Sequence, residues 1–194
     1  LLLFSACQGK KKNNSTQRDN APQTRIEFSA DSAYRYIAEQ VAFGPRIPAS
    51  KAHEACGNYL VNKMKSFGAE VQEQKADIRA WDGKTLPMRN IIASFQPENA
   101  QRILLFAHWD CRPWSDMEET KNLQMKAVLG ANDGASGVGV LMEVARQLGK
   151  AQTLPVGVDI IFFDLEDYGV PDWEKDVKDS WCIGSQYWAK HPHK

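Results

Sequence analysis

Two short apolar runs, each ending in acids, divide the chain. ILLFAHWD (103–110) and VDIIFFDLEDYG (158–169) are too short and continuous for amphipathic helices, and 154–164 reads as a strand covered on both faces. Between them GANDGASG (130–137) is a glycine-rich turn, after which Val138, Leu141, Met142, Ala145 and Leu148 recur at helical spacing until Gly149 closes the stripe. Upstream, Ala33, Tyr36, Ile37, Gln40 and Val41 mark a helix within 29–43, with Ser29 and Asp31 as caps and Gly44-Pro45 as its stop. A second helix spans 50–67, with Ala52, Cys56, Tyr59, Leu60, Met64 and Phe67 on one face and Gly68 as C-terminal cap. His53, set among Lys51 and Glu54, is expected at the surface. Residues 69–79 alternate weakly, as an edge strand does; 82–84 form a turn, and Pro87 restricts the strand pairing open to the residues around it. NIIASF (90–95) and ILLFAH (103–108), separated by the polar PENAQR, read as neighbouring strands, a hairpin pair. The segment 112–128 is polar and irregular, a long loop of the kind that more often serves a site than idles. A last helix opens at 182–190.

The order helix, helix, strand, strand, strand, helix, strand, helix predicts an α/β fold with a mixed sheet and helices on both faces. No internal repeat interrupts it. At 194 residues, 43% of them hydrophobic, the chain has the length and core of one domain. Its 24 basic residues balance 24 acidic ones, and no basic stripe with interleaved aromatics is present, which argues against nucleic acid as a partner.

The chain opens on LLLFSAC (1–7), which resembles the tail of a bacterial lipoprotein signal and makes Cys7 the candidate lipidated residue; the alternative is an apolar N-terminus with an ordinary cysteine. Residues 8–27 are a polar linker, and the folded domain is expected over 28–194. The lipoprotein resemblance implies a protein of the bacterial cell envelope, periplasm-facing and attached to the membrane only through that lipid. No other stretch approaches the ~20 apolar residues needed to span a bilayer. Cys56, Cys111 and Cys182 remain, an odd number without C-x-x-C spacing; an oxidising compartment permits one pair, Cys111 with Cys182 being the one to test against free thiols.

The chemistry gathers where strands leave the sheet, which in open α/β sheets is the crevice that binds ligands. His108 and Asp110 share one side of an extended chain; Asp133 sits among small residues ahead of a helix; Glu166 and Asp167 follow the most buried strand, with Asp164 two residues before Glu166. Imidazole with carboxylates, and no paired thiolates, suits zinc held for catalysis. Adjacent buried carboxylates are costly without positive charge, so one of Glu166 and Asp167 can bind an ion while the other moves protons. Glycines around Asp133 let its carboxylate be held rigidly for metal coordination, and the acids at the two strand ends favour that role; capping of the following helix by Asn132 or Asp133 is the alternative. No Gly-x-Ser-x-Gly elbow is present, and the cysteines lack a His partner, so covalent catalysis is not supported.

FGPRIPAS, AHWD, GANDGASGVGVLMEVARQL, IIFFDLEDYG and WCIGSQYWAK, in that order, resemble the M28 zinc aminopeptidase superfamily, which includes glutaminyl-peptide cyclotransferases. HWDCRPWSD and FFDLEDYG, with Asp167 where aminopeptidases carry a second Glu, resemble its bacterial glutaminyl cyclases. The resemblance implies a three-layer α/β/α sandwich around a mixed, largely parallel sheet. It makes Asp133 and Asp167 zinc ligands and Glu166 the general acid/base; the residues themselves add His108 as a possible ligand, Asp110 as the group that orients an imidazole and Asp164 as one that orients a ligand. It implies one zinc, two for the aminopeptidase alternative, and peptides with N-terminal glutamine as substrates. The family's third ligand is a downstream His that neither His191 nor His193 matches, so a C-terminal part beyond Lys194 is expected.

Overall fold

The computed structural model describes residues 27–151 and 153–194. Cys7 and nearly all of the linker therefore lie outside the described residues. The first helix, α1, runs Ala30–Val41, and its N-terminal amides are met by Ser29, whose hydroxyl accepts the Ser32 N–H at 3.2 Å. Ser50 does the same for α2, Lys51–Ser66, by accepting the His53 N–H at 3.1 Å. Then come β1 (Glu70–Arg79), β2 (Thr85–Phe95), β3 (Arg102–His108), the short α3 (Lys121–Gln124), α4 (Ala135–Leu148), β4 (Gly157–Phe163) and α5 (Ile183–Lys190). Among the described residues no helix is long and apolar enough to cross a membrane.

Four strands form one mixed sheet in the order β1-β2-β4-β3. β1 and β2 pair antiparallel, as do β2 and β4, while β3 and β4 run parallel; the parallel share in these strands is one pairing of three. β2 and β3 are not a hairpin, because β4 inserts between them. Its run of seven buried residues fits only a central position, and that outweighs the closeness in sequence of 90–95 and 103–108. β1 takes the edge, as its weak alternation predicts. β2 is longer than NIIASF and runs through Pro87, which pairs with Asp77; β4 reaches β2 only from Ile91, so no ladder bond to β4 is lost at Pro87.

One face of the sheet carries α1, α2 and α4, with Tyr36, Leu60, Met64, Val138 and Met142 packed on Ile91, Ile160 and Phe162. The other carries α5, whose Trp188 meets Ile92, Ile161 and Phe163, and whose Ile183 and Tyr187 meet Leu86, Met88 and Leu165. Three layers result. Each fully buried Leu, Ile or Phe stabilises the frame by roughly 1.5–3 kcal/mol, and β2 and β4 supply most of them. β3 is less covered than its apolar sequence predicts: it is the outer strand here, and Ile103 and Phe106 are exposed.

Candidate active site

β3, β4 and the turn before α4 deliver their acids to one end of the sheet. The segment after β4, Asp164 to Asp167, is held at every backbone polar group. The Asp164 N–H donates to Asn90 Oδ1 and the Leu165 N–H to Asp164 Oδ1, both at 2.9 Å. The N–H groups of Glu166 and Asp167 donate to the two oxygens of Asp110, each at 3.1 Å. On the carbonyl side, Gly184, Ile183 and Cys182 donate their N–H groups to the oxygens of Asp164, Leu165 and Glu166 at 3.0 Å, and Arg112 Nη1 donates to the Asp167 oxygen at 3.2 Å. Leu165 is thereby kept left-handed at φ 53°, a conformation that costs a non-glycine residue roughly 1–2 kcal/mol. The close approach of α5 needs Gly184, since a Cβ there would run into the Asp164 backbone.

This frame sorts the carboxylates. The side chains of Asp110 and Asp164 are 0% exposed and that of Asp167 is 7% exposed, whereas Glu166 keeps 32%. Cys182 Sγ donates to Glu166 Oε1 at 3.2 Å, leaving Oε2 free of a hydrogen bond and 3.8 Å from His108 Nδ1. Asp164, expected to orient a ligand, instead orients the turn: besides the Leu165 N–H it accepts the Arg89 N–H at 2.7 Å, and it lies 2.8 Å from His53 Nε2.

Asp133 does not cap α4. Gly134 occupies that position at φ 88° with no side-chain cap, and a Cβ on it would stand 2.9 Å from the Asp110 carbonyl oxygen. The Asp133 carboxylate therefore points to His108, 2.9 Å from Nε2. His108 Nδ1 is buried without a hydrogen-bond partner, 3.6 Å from Asp110 Oδ1. Burial opposes a charged imidazole here, yet Asp110, Glu166 and Asp133 together raise His108 to about 9. Burial, and then the charges of Asp110 and Asp133, push Asp167 up to about 7. A set of acids that raises its own members in this way is short of positive charge, and a divalent cation fits that deficit. Asp133 and Asp167, the ligands that the family resemblance implies, both belong to that set. Among the described residues, no three His, Cys, Asp or Glu side chains gather around one metal position.

Several residues that build the site are not singled out by the sequence reading, although Arg46 and Arg112 lie within FGPRIPAS and HWDCRPWSD. His53, expected at the surface, is 4% exposed and stacks on Trp109 at 4.2 Å, because α2 turns that position onto the sheet. Arg46 is fully buried and donates to the carbonyls of Trp109, Leu129 and Gly130 at 3.1, 2.9 and 2.6 Å, tying the end of β3 to the glycine turn. Arg112 pairs with Asp116 and lies over the Trp181 ring at 4.3 Å. The expected long loop, of which it is part, walls a cavity of about 700 Å³ lined by Arg112, Asp116, Thr120, Leu123 and Asp133, among others.

The other sequence candidates fall elsewhere. Cys56, Cys111 and Cys182 are free thiols. Cys111 and Cys182 are not joined: the Sγ of Cys111 donates to the Leu129 carbonyl and that of Cys182 to Glu166 Oε1. His193 lies at the opposite end of β4, where Trp188 Nε1 donates to its Nδ1 at 3.0 Å and its Nε2 is 3.5 Å from Asp159. His191 Nδ1 is 3.0 Å from the Tyr187 carbonyl oxygen.

Solved structures share this arrangement of chain. A Zn-dependent exopeptidase from Parabacteroides distasonis is 55% identical with a TM-score of 0.84 over 87% of this chain and 57% of its own. Porphyromonas gingivalis glutaminyl cyclase is 54% identical with a TM-score of 0.82, over 86% of this chain and 57% of its own. Bacteroides thetaiotaomicron glutaminyl cyclase bound to N-acetylhistamine is 53% identical with a TM-score of 0.84, over 87% and 58%. The chain thus spans somewhat more than half the length of these proteins. The description of peptidase family M28 matches residues 90–194, the stretch that contains β3, the glycine turn, β4 and the Asp164 to Asp167 turn, and the chain belongs to that family.

Proposed function

We propose that the protein is a zinc-dependent glutaminyl-peptide cyclotransferase, converting an N-terminal glutamine to pyroglutamate with release of ammonia. The observation that carries the reading is the sorting of the carboxylates. Asp110 and Asp164 are committed to backbone amides, Asp167 is buried, and Glu166 alone of the turn keeps a free oxygen open to a substrate. Two neighbours at 54% and 53% identity are named glutaminyl cyclases, which supports it.

Asp133 and Asp167 would hold the ion. Zinc, when bound, polarises the side-chain amide carbonyl and stabilises the charge that develops on its oxygen. Glu166 takes a proton from the α-amine as that nitrogen bonds to the amide carbon, and returns it to the departing nitrogen, which leaves as ammonia. No water enters the balance. The residues that follow the glutamine extend into the 700 Å³ cavity beside Asp133.

The commitment of Asp110 to two amides favours one zinc. The alternative, a di-zinc aminopeptidase, draws on a different contact, His108 against Asp133 at 2.9 Å, and on the neighbour named an exopeptidase. The test is ammonia release from a Gln-peptide by the protein as its gene encodes it, alongside its metal content. Ammonia with about one zinc supports the cyclase. Free amino acids from peptides lacking glutamine, with about two zincs, overturn it in favour of the aminopeptidase. We also propose that Cys7 is lipidated and holds the enzyme to a periplasm-facing membrane surface, on the strength of LLLFSAC and the polar linker alone.

A further inference from the structure

His53 belongs to a closed ring of contacts that joins the two strand ends of the site. Its Nε2 lies 2.8 Å from Asp164 Oδ1, and Asp164 Oδ2 accepts the Arg89 N–H at 2.7 Å. The Arg89 carbonyl in turn accepts the indole N–H of Trp109 at 3.2 Å, and the Trp109 ring stacks on His53 with its centroid 4.2 Å away and the planes 16° apart. Trp109 stands between His108 and Asp110, and its N–H donates to the Phe163 carbonyl at 3.0 Å. The ring therefore spans α2, β2, the end of β3 and the end of β4.

A histidine that merely filled space here would be a poor choice, because a buried polar ring costs free energy unless its nitrogen is used. It is used, on a carboxylate that is itself 0% exposed and has no other side-chain donor among the described residues. Asp164 also accepts the Leu165 N–H, so whatever fixes its rotamer fixes the left-handed residue that precedes Glu166. We propose that His53 is a positioning residue for the general acid/base: through Asp164 and the Leu165 turn, it sets the direction of the Glu166 carboxylate. The inference rests on the role given to Glu166 above, and it assigns His53 no contact with substrate.

The experiment compares wild type with His53→Leu, His53→Gln and His53→Asn in the full-length protein at saturating zinc, reading kcat, KM and zinc retention against a chelator. Leucine keeps the volume and loses the donor, and turnover should fall by about 10- to 100-fold with KM nearly unchanged. Glutamine carries an amide N–H close to the position of Nε2 and should recover most of the rate, whereas asparagine, too short to reach Asp164, should not. A leucine variant with wild-type kcat, or a glutamine variant as slow as leucine, overturns the proposal. If the leucine variant does not fold, the glutamine and asparagine variants decide alone, and equal rates overturn it. A wild type that releases no ammonia counts against the cyclase reading. Zinc retention, lowered by leucine and restored by glutamine, then reads the same turn at Asp167, and retention equal in all four proteins overturns the role of His53.

Discussion

Asp110 holds Glu166 by its backbone: one carboxylate oxygen accepts the Glu166 N–H at 3.1 Å and the other accepts the Asp167 N–H at the same distance. A fully buried acid at the end of one strand thus sets the register of two acids at the end of its parallel neighbour. The arrangement needs two acceptor oxygens side by side. Asp110→Asn puts an NH₂ against an N–H and leaves a buried donor unsatisfied, at roughly 1–3 kcal/mol. Thermal unfolding should show that loss, and turnover in the folded fraction should fall by about 10- to 100-fold. Unchanged turnover would mean that the turn does not need Asp110.

Glu166 and Asp167 are expected to separate under mutation. Glu166→Gln keeps shape but cannot accept and return a proton, so kcat should fall by ~10²- to 10⁴-fold while zinc stays bound. Asp167→Asn should weaken the zinc itself. Ammonia release and zinc content, read together on both variants, check the pair; a Glu166→Gln protein that keeps its rate and sheds its zinc reverses the two roles.

Acid stability should depend on two ion pairs away from the site. Burial alone would raise Asp159, but hydrogen bonds from Arg102 and then Ser94, with the charge of Arg102, hold it down to about 2. Glu143 is likewise disfavoured by burial and yet held at about 2 by Arg146, Gln147 and the Ser29 N–H. A depressed carboxylate contributes stability that is present above its unfolded value of roughly 4 and is lost as pH falls toward the folded value. At neutral pH Asp159 should therefore contribute about 2 kcal/mol and Glu143 about 3 kcal/mol, both decaying between about pH 4 and pH 2. Asp159→Asn should flatten that part of the stability curve in denaturant titrations taken across the range. A variant curve as steep as that of wild type would remove Asp159 from the account.

The proposed anchor is read by fractionation. Wild type should follow the membrane, and Cys7→Ser should move to the soluble fraction, because a single thiol carries the lipid. Equal partitioning of the two would sink the lipoprotein reading.

What the sequence determines by itself is local. The helical stripes of α1, α2 and α4, the edge character of β1 and the buried run of β4 all come from the period of apolar positions, which depends only on near neighbours along the chain. The positions of His108, Asp110, Asp164, Glu166 and Asp167 are legible too, since residues that leave a strand end are marked by the strand before them, and Asp133 is marked by the glycine turn ahead of α4. Their assembly at one end of the sheet is a consequence of the α/β order.

Tertiary structure alone decides the rest. The strand order places β4 between β2 and β3, a pairing that sums many weak side-chain contacts across more than 50 residues of sequence and leaves no local trace. His53 reads as a surface residue because a helix shows its polar neighbours in sequence, Lys51 and Glu54, but not Asp164, which is 111 residues away. Arg46 stands within FGPRIPAS, but its role does not show there, because its carbonyl partners at Leu129 and Gly130 are backbone atoms common to every residue. Periodicity tells which side of an element is buried; what that side meets is set by the packing of elements remote in sequence, and the frame that aims Glu166 is made of such meetings.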